Sequence, residues 1–162
     1  MVEQKLLDAL NKQIQIEFES SQLYLAMAAF FHGMDLDGMA QWMRAQAGEE
    51  YQHAMKFFDH LRDRGATIKL TGLGQPQTEW SSPLAVFEDA YQHEKFVTGK
   101  INELVQLAAA ENDNPASVLL QWFVTEQVEE ENSTGKISRQ LKMIGNSGSG
   151  LIMLDHQMGK RS

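Results

Sequence analysis

Apolar residues recur at spacings of three and four along four long stretches of the chain, the period of a helix with one buried stripe. The first stripe reads Leu10, Ile14, Glu17, Ser21, Tyr24, Ala28, and the second Met39, Met43, Gln46, Glu50, His53, Phe57. The third reads Phe87, Ala90, Glu94, Val97, Ile101, Leu104, Ala108, and the fourth Leu120, Phe123, Gln127, Glu130, Thr134, Ile137, Leu141, Ile144. These predict helices from about Val2 to His32, Leu36 to Arg64, Pro83 to Asp113 and Pro115 to Ile144, with a short fifth piece from Leu151 to Met158. Ser82-Pro83 and Asn114-Pro115 each set a capping side chain before a proline whose missing N–H costs nothing at a helix start. Gly65 and Gly145 suit the left-handed residue that ends a helix.

The connections are short, long, short. Short loops join antiparallel neighbours, whereas a parallel neighbour needs a crossover of bundle length. The segment GATIKLTGLGQPQTEWSS can span about 55–60 Å at about 3.3 Å per residue, and a helix of about 28 residues is only about 42 Å long. The expectation is an all-α fold: one domain over residues 1–162, a four-helix bundle over 2–144 with one long crossover, and a short fifth helix at about 149–158. Two independent helical hairpins would bury too little surface to be stable.

Every stripe carries a glutamate near the middle of its helix: Glu17, Glu50, Glu94 and Glu130. A midpoint stays at the same level of a bundle whichever way its helix runs, so the four carboxylates converge. Four like charges in a dry core are untenable without compensation, since a buried ion costs several kcal/mol even after relaxation. Protons are one remedy and metal ions the other. Two divalent cations balance four carboxylates. His53, three residues after Glu50, lies almost above it one turn on and adds an imidazole, a donor set that suits iron or manganese. Tyr24, two turns beyond Glu17 on the same stripe, is the candidate to hydrogen-bond a ligand or give up an electron. Trp122 is a second candidate for that role. His32, His60, His93 and His156 read as surface or terminal residues.

Composition narrows the chemistry. With no cysteine, thiolate metal sites and cysteine nucleophiles are excluded, so ligands must be oxygen and nitrogen. A formal charge of -8 without a Lys/Arg stripe argues against nucleic acid and favours cations. No apolar run is long enough for a transmembrane helix, and the start MVEQKLLDAL lacks a signal pattern. No membrane partner is expected, and a cytoplasmic location is.

EFESSQLYLAM, EEYQHAMKFFDHL, the isolated Glu94 and LLQWFVTEQVEEE together resemble the bacterial non-haem ferritins, members of the ferritin-like di-iron carboxylate proteins. The resemblance spans essentially the whole chain. It implies one iron at Glu17, Glu50 and His53 and a second at Glu94 and Glu130, with Glu50 bridging and Gln127 facing the pair. Where haem-containing relatives ligate haem through a methionine after the bridging glutamate, this chain has Tyr51, so no haem is expected. Glu49, Glu126 and Glu129 stand one position before Glu50, Gln127 and Glu130. By analogy they form a third iron site.

The resemblance further implies a ferroxidase that stores iron. Two Fe(II) ions would be oxidised together by dioxygen or peroxide, and the product kept as a ferric mineral inside a homo-oligomeric shell of 24 subunits. The alternatives are a soluble di-iron oxidase acting on an organic substrate and a helical interaction protein whose acids are merely solvated. The apolar residues around the acids leave an oxidase little room for a substrate. Peroxide-reducing relatives with a cysteine-ligated iron domain are excluded by composition. DNA-protecting miniature ferritins, which place ligands between subunits and lack the fifth helix, fit less well.

Overall fold

The computed structural model describes residues 1–162 as five helices and no strand. They are α1 (Gln4–Gly33), α2 (Asp37–Asp63), α3 (Pro83–Ala110), α4 (Asn114–Ile144) and α5 (Gly148–Met158). No helix is long and apolar enough to cross a membrane. α1 packs chiefly against α2 and α3 against α4, while α5 lies mainly on α2.

Residues 64–82 form the crossover, which is tied down along α1. Asn11 donates to the Thr67 carbonyl at 2.9 Å and accepts from the Lys69 amide at 2.7 Å, and Gln15 donates to Gly72 O at 3.3 Å. Farther on, the Trp80 ring meets Phe30 edge to face, with centroids 5.5 Å apart. From the level of Asn11 to that of Phe30 is about 28 Å of helix rise. The crossover therefore climbs most of the bundle and starts α3 beside the C-terminal end of α1, where Phe87 packs on Phe31. α2 and α3 consequently run parallel.

Local chemistry explains the helix ends. Ser82 Oγ accepts from the Ala85 amide at 3.1 Å, with Pro83 in the first turn. The cap of α4 is Asp113 rather than Asn114: its Oδ1 accepts from the Ala116 amide at 3.0 Å, which moves Asn114 and Pro115 into the first turn. A carboxylate wins this position because it also takes the Arg64 guanidinium at 2.7 Å, joining the end of α2 to the start of α4. Although partial burial pushes the Asp113 carboxyl up, the Ala116 and Arg64 hydrogen bonds hold it below the usual aspartate value. Gly65 and Gly145 both take positive φ, 64° and 57°, at the ends of α2 and α4.

The core has two apolar halves. One gathers Tyr24, Met27, Phe31, Met39, Met43, Phe87 and Leu141, and the other Leu6, Leu10, Ile14, Phe57, Leu61, Ile101, Leu120 and Phe123. Between them, at mid-height, lies a layer of buried polar side chains: Glu17, Ser20, Gln46, Glu50, His53, Glu94, Gln127, Glu130 and Thr134. The stripes read from the sequence are buried with two exceptions. Ser21 and Ile144 are only half-buried, and Ser20 rather than Ser21 is sealed in the layer.

Candidate metal centre

Each helix delivers one glutamate to the polar layer, and all four are at most 4% exposed. His53 Nδ1 lies 3.2 Å from Glu50 Oε2 and 3.9 Å from Glu17 Oε2. The imidazole is held edge-on against Trp122 and Phe123, with ring centroids at 5.5 and 5.7 Å. Three sets of donor atoms each fall within 4.8 Å of one another: Glu17, Glu50 and His53; Glu50, Glu94 and Glu130; and His53, Glu126 and Glu130. Glu50 joins the two fully buried sets, while Glu130 and His53 connect them to the set that includes the partly buried Glu126.

The surrounding side-chain amides hold Glu17, Glu50 and Glu130 by one oxygen each, whereas Glu94 is held by both. Gln13 donates to Glu17 Oε1 at 3.0 Å, and Glu17 Oε2, fully buried, has no partner. Gln46 donates through its single amide nitrogen to Glu50 Oε1 at 2.9 Å and to Glu130 Oε2 at 2.6 Å. Glu94 accepts the Tyr24 hydroxyl on Oε1 and the Gln127 amide on Oε2 at 3.1 Å. The Gln127 amide also reaches Glu94 O at 3.1 Å and Thr98 Oγ1 at 3.2 Å. Gln13, Gln46 and Thr98 join the site only through contacts between side chains that the sequence does not display. Gln46 alone left a trace there, as a polar residue on a stripe four positions before Glu50.

Electrostatics follow from this crowding. Burial first, and then the neighbouring Glu50 carboxylate, push Glu17 well above the ordinary glutamate value. Burial, Glu94 and Glu130 do the same to Glu50. Glu130 is pushed up to about 9 by burial and by Glu94. Burial raises Glu94 too, against the opposing hydrogen bonds from Tyr24 and Gln127. The Tyr24 phenol is held well above its usual range by burial and the facing Glu94. A layer in which burial favours the protonated acids, while the buried Glu17 Oε2 has no hydrogen-bond partner, fits hard divalent cations taking the place of protons.

The other acids stand differently. Glu126 is partly buried, with Oε1 at 3.8 Å from His53 Nε2. Glu49 and Glu129 are exposed, and Glu49 pairs with the Arg161 guanidinium at 3.0 Å. Trp122 packs on His53 from the rim, with Lys56 Nζ 4.2 Å over its ring. Among the histidines read as surface residues, His93 departs from that reading. It is half-buried between α1 and α3, bonded to Ser20 Oγ at 2.7 Å, and burial lowers its pKa to about 4, so it stays neutral. His60 is also half-buried, and exposed His32 has a partner in Asp37 at 2.7 Å. A groove of about 690 Å³ between α1 and α3 reaches inward as far as Gln13 and His93, and none of the four glutamates lines it.

A model of the ferritin-like domain matches residues 7–144. The bacterial non-haem ferritin of Bacteroides fragilis is 38% identical over 161 residues, covering 99% of this chain and all of the relative. That of Escherichia coli O157:H7 is 36% identical over 158 residues, 98% of this chain and 96% of the relative. Among solved structures, the open-pore ferritin of the hyperthermophilic archaeon Archaeoglobus fulgidus superposes with a TM-score of 0.99 at 44% identity, covering the whole of both chains. With four mid-bundle glutamates meeting a histidine under this fold, the chain belongs to the ferritin family, on its bacterial non-haem branch.

Proposed function

We propose that the protein stores iron and acts as a ferroxidase, taking Fe(II) in pairs at the polar layer and passing on Fe(III). The observation that carries this reading is the convergence of Glu17, Glu50, Glu94 and Glu130 with His53 in a sealed layer, with Glu50 common to two ligand groups. Iron is the substrate here. One ion takes Glu17, Glu50 and His53, and the other Glu50, Glu94 and Glu130, with Gln127 facing the pair. A shared carboxylate keeps the ions close, so that each gives one electron to the same oxidant. Two electrons reduce dioxygen to hydrogen peroxide, or peroxide to water. Oxygen ligands of high charge density favour the ferric state. Tyr24, donating to Glu94, steadies that ligand and is the side chain placed to supply a further electron.

Glu126, together with the exposed Glu49 and Glu129, forms a third iron site on the path away from the pair. The family resemblance supports this, as does the approach of Glu126 to His53 and Glu130. The ferric product accumulates as mineral inside a shell of 24 copies of this one domain, in the cytoplasm. Support for self-assembly comes from an apolar surface where Phe18 packs on Tyr51 at 5.7 Å beside Leu70 and Leu73 of the crossover. Tyr51, Leu70 and Leu73 are 48%, 66% and 41% exposed. Apolar surface of this kind marks an interaction face.

Gel filtration followed by aerobic Fe(II) addition tests the reading. The expected result is a shell-sized particle that holds many irons per chain. A monomer or dimer that stops at two irons per chain would instead favour a di-iron oxidase, and no uptake would favour an interaction protein.

A further inference from the structure

Arg161, the penultimate residue of the sequence and beyond α5, reaches back across α2 to the polar layer. Its Nη2 donates to Gln46 Oε1 at 3.0 Å and pairs with Glu49 Oε1 at 3.0 Å. The guanidinium stacks on Trp42, 4.4 Å from the ring centroid, and Nη1 reaches the Trp42 carbonyl at 3.4 Å. Gln46 is 1% exposed. Its two amide hydrogens go to Glu50 and Glu130, and its carbonyl oxygen goes to Arg161.

We propose that Arg161 is a positioning residue of the metal centre: through Gln46 it orients Glu50 and Glu130, so that the docked fifth helix supports metal binding at mid-bundle. A guanidinium has donors only, so it can meet only the oxygen end of the amide, and this fixes the nitrogen end toward the two carboxylates. Each carboxylate then spends one oxygen on Gln46. Glu50 Oε2, beside His53, and Glu130 Oε1 are left to face a cation. Without Arg161, a flexible glutamine must hold two ligands while its own oxygen goes unpartnered in a buried place.

The anchor behind Arg161 is rigid. Asp155 Oδ1 of α5 accepts the Met39 amide at 2.7 Å. A Cβ on Gly38 would lie 1.8 Å from the Asp155 carbonyl oxygen, so α5 can sit this deep on the first turn of α2 only because residue 38 is glycine. One turn on, at the C-terminal end of α5, a Cβ on Gly159 would lie 3.0 Å from Gly38 Cα. The seating of α5 on α2 thus sets where Arg161 leaves the helix, and Arg161 carries that position to Gln46.

The inference rests on Glu50 and Glu130 being metal ligands, and its test separates the two claims. The assembled full-length protein is stripped of metal and titrated anaerobically with Co(II), following both affinity and the visible absorption of the bound ion. The Arg161→Gln variant should bind the Co(II) ion that depends on Glu130 roughly tenfold more weakly, the scale of losing a hydrogen bond behind a metal ligand, with an altered visible spectrum. Gln46→Leu should reproduce the loss, and Arg161→Gln should add nothing to it in that background. The inference is overturned if Arg161→Gln binds and absorbs like the parent while Glu130→Ala loses an ion. It is equally overturned if Arg161→Gln weakens binding as much in the Gln46→Leu background as alone. If Glu50→Ala and Glu130→Ala both bind two Co(II) per chain like the parent, the ligand assignment falls and takes the inference with it.

Discussion

Replacing Glu50 with alanine is expected to slow aerobic Fe(II) oxidation by about 100-fold or more, exceeding the tenfold to 100-fold typical of outer partners alone. Glu50 is common to two of the three ligand groups and lies 3.2 Å from His53. Its loss takes an oxygen from both ions at once and removes the link that keeps them within reach of one oxidant. His53→Ala should act in the same direction but less severely, because it strips a donor from one member of the pair. The fold should survive both changes. In the metal-free protein Glu50 is a buried carboxyl crowded by Glu94 and Glu130, so its removal relieves repulsion as it opens a cavity. Stopped-flow oxidation kinetics alongside circular dichroism read the two effects separately. Unchanged rates in Glu50→Ala would remove the shared carboxylate from the account.

The second large effect is on stability against pH, and its sign is unusual. Glu17, Glu50, Glu94 and Glu130 all have folded pKa values above their ordinary value of 4.5, Glu130 reaching about 9. Above 4.5 the folded chain holds protons on these groups that the unfolded chain has released, and on Glu130 it does so up to about 9. Stability of the metal-free protein must therefore fall as pH rises through that window, the reverse of the usual acid-sensitive carboxylate. His93 runs the other way. Its pKa, lowered from 6.5 to about 4, costs stability only as pH falls below 6.5, so above that value the carboxylates set the slope. Divalent ions bind the deprotonated acids, so saturating Co(II) should raise the melting temperature most at the alkaline end. Calorimetric melts of chelator-treated protein between about pH 6.5 and about pH 9 check this. A melting temperature that is flat or rises across that range without metal would contradict the shared protonation of the layer.

How much of this was legible in the sequence depends on what kind of contact carries each feature. Helical period and the long crossover are written locally, and with them the level of Glu17, Glu50, Glu94 and Glu130. The mid-helix rule needs no knowledge of packing angles. Asn114 looked like the cap of α4 because asparagine before proline is a good start signal, but Asp113 takes the position through Arg64, a partner 49 residues away. His93 looked like a surface residue because it lies one position off the stripe beside Glu94. It is half-buried because the adjoining α1 offers Ser20 as a partner. Arg161 left no signal at all: its partners Gln46, Glu49 and Trp42 become neighbours only when α5 folds back over Gly38. Gln46 was visible as a polar residue on an apolar stripe, but its two-way donation to Glu50 and Glu130 depends on α2 and α4 lying side by side. The features that escaped the sequence are those in which a side chain from one helix completes a group on another.

The most direct test is where iron sits. Crystals of the metal-free protein exposed to Fe(II) without oxygen, with anomalous scattering recorded at the iron edge, should show two peaks per chain in the polar layer. One is expected among Glu17, Glu50 and His53, and the other among Glu50, Glu94 and Glu130. Iron found only on the outer acids such as Glu49 and Glu129, with the layer between the two apolar halves left without a peak, would contradict the account.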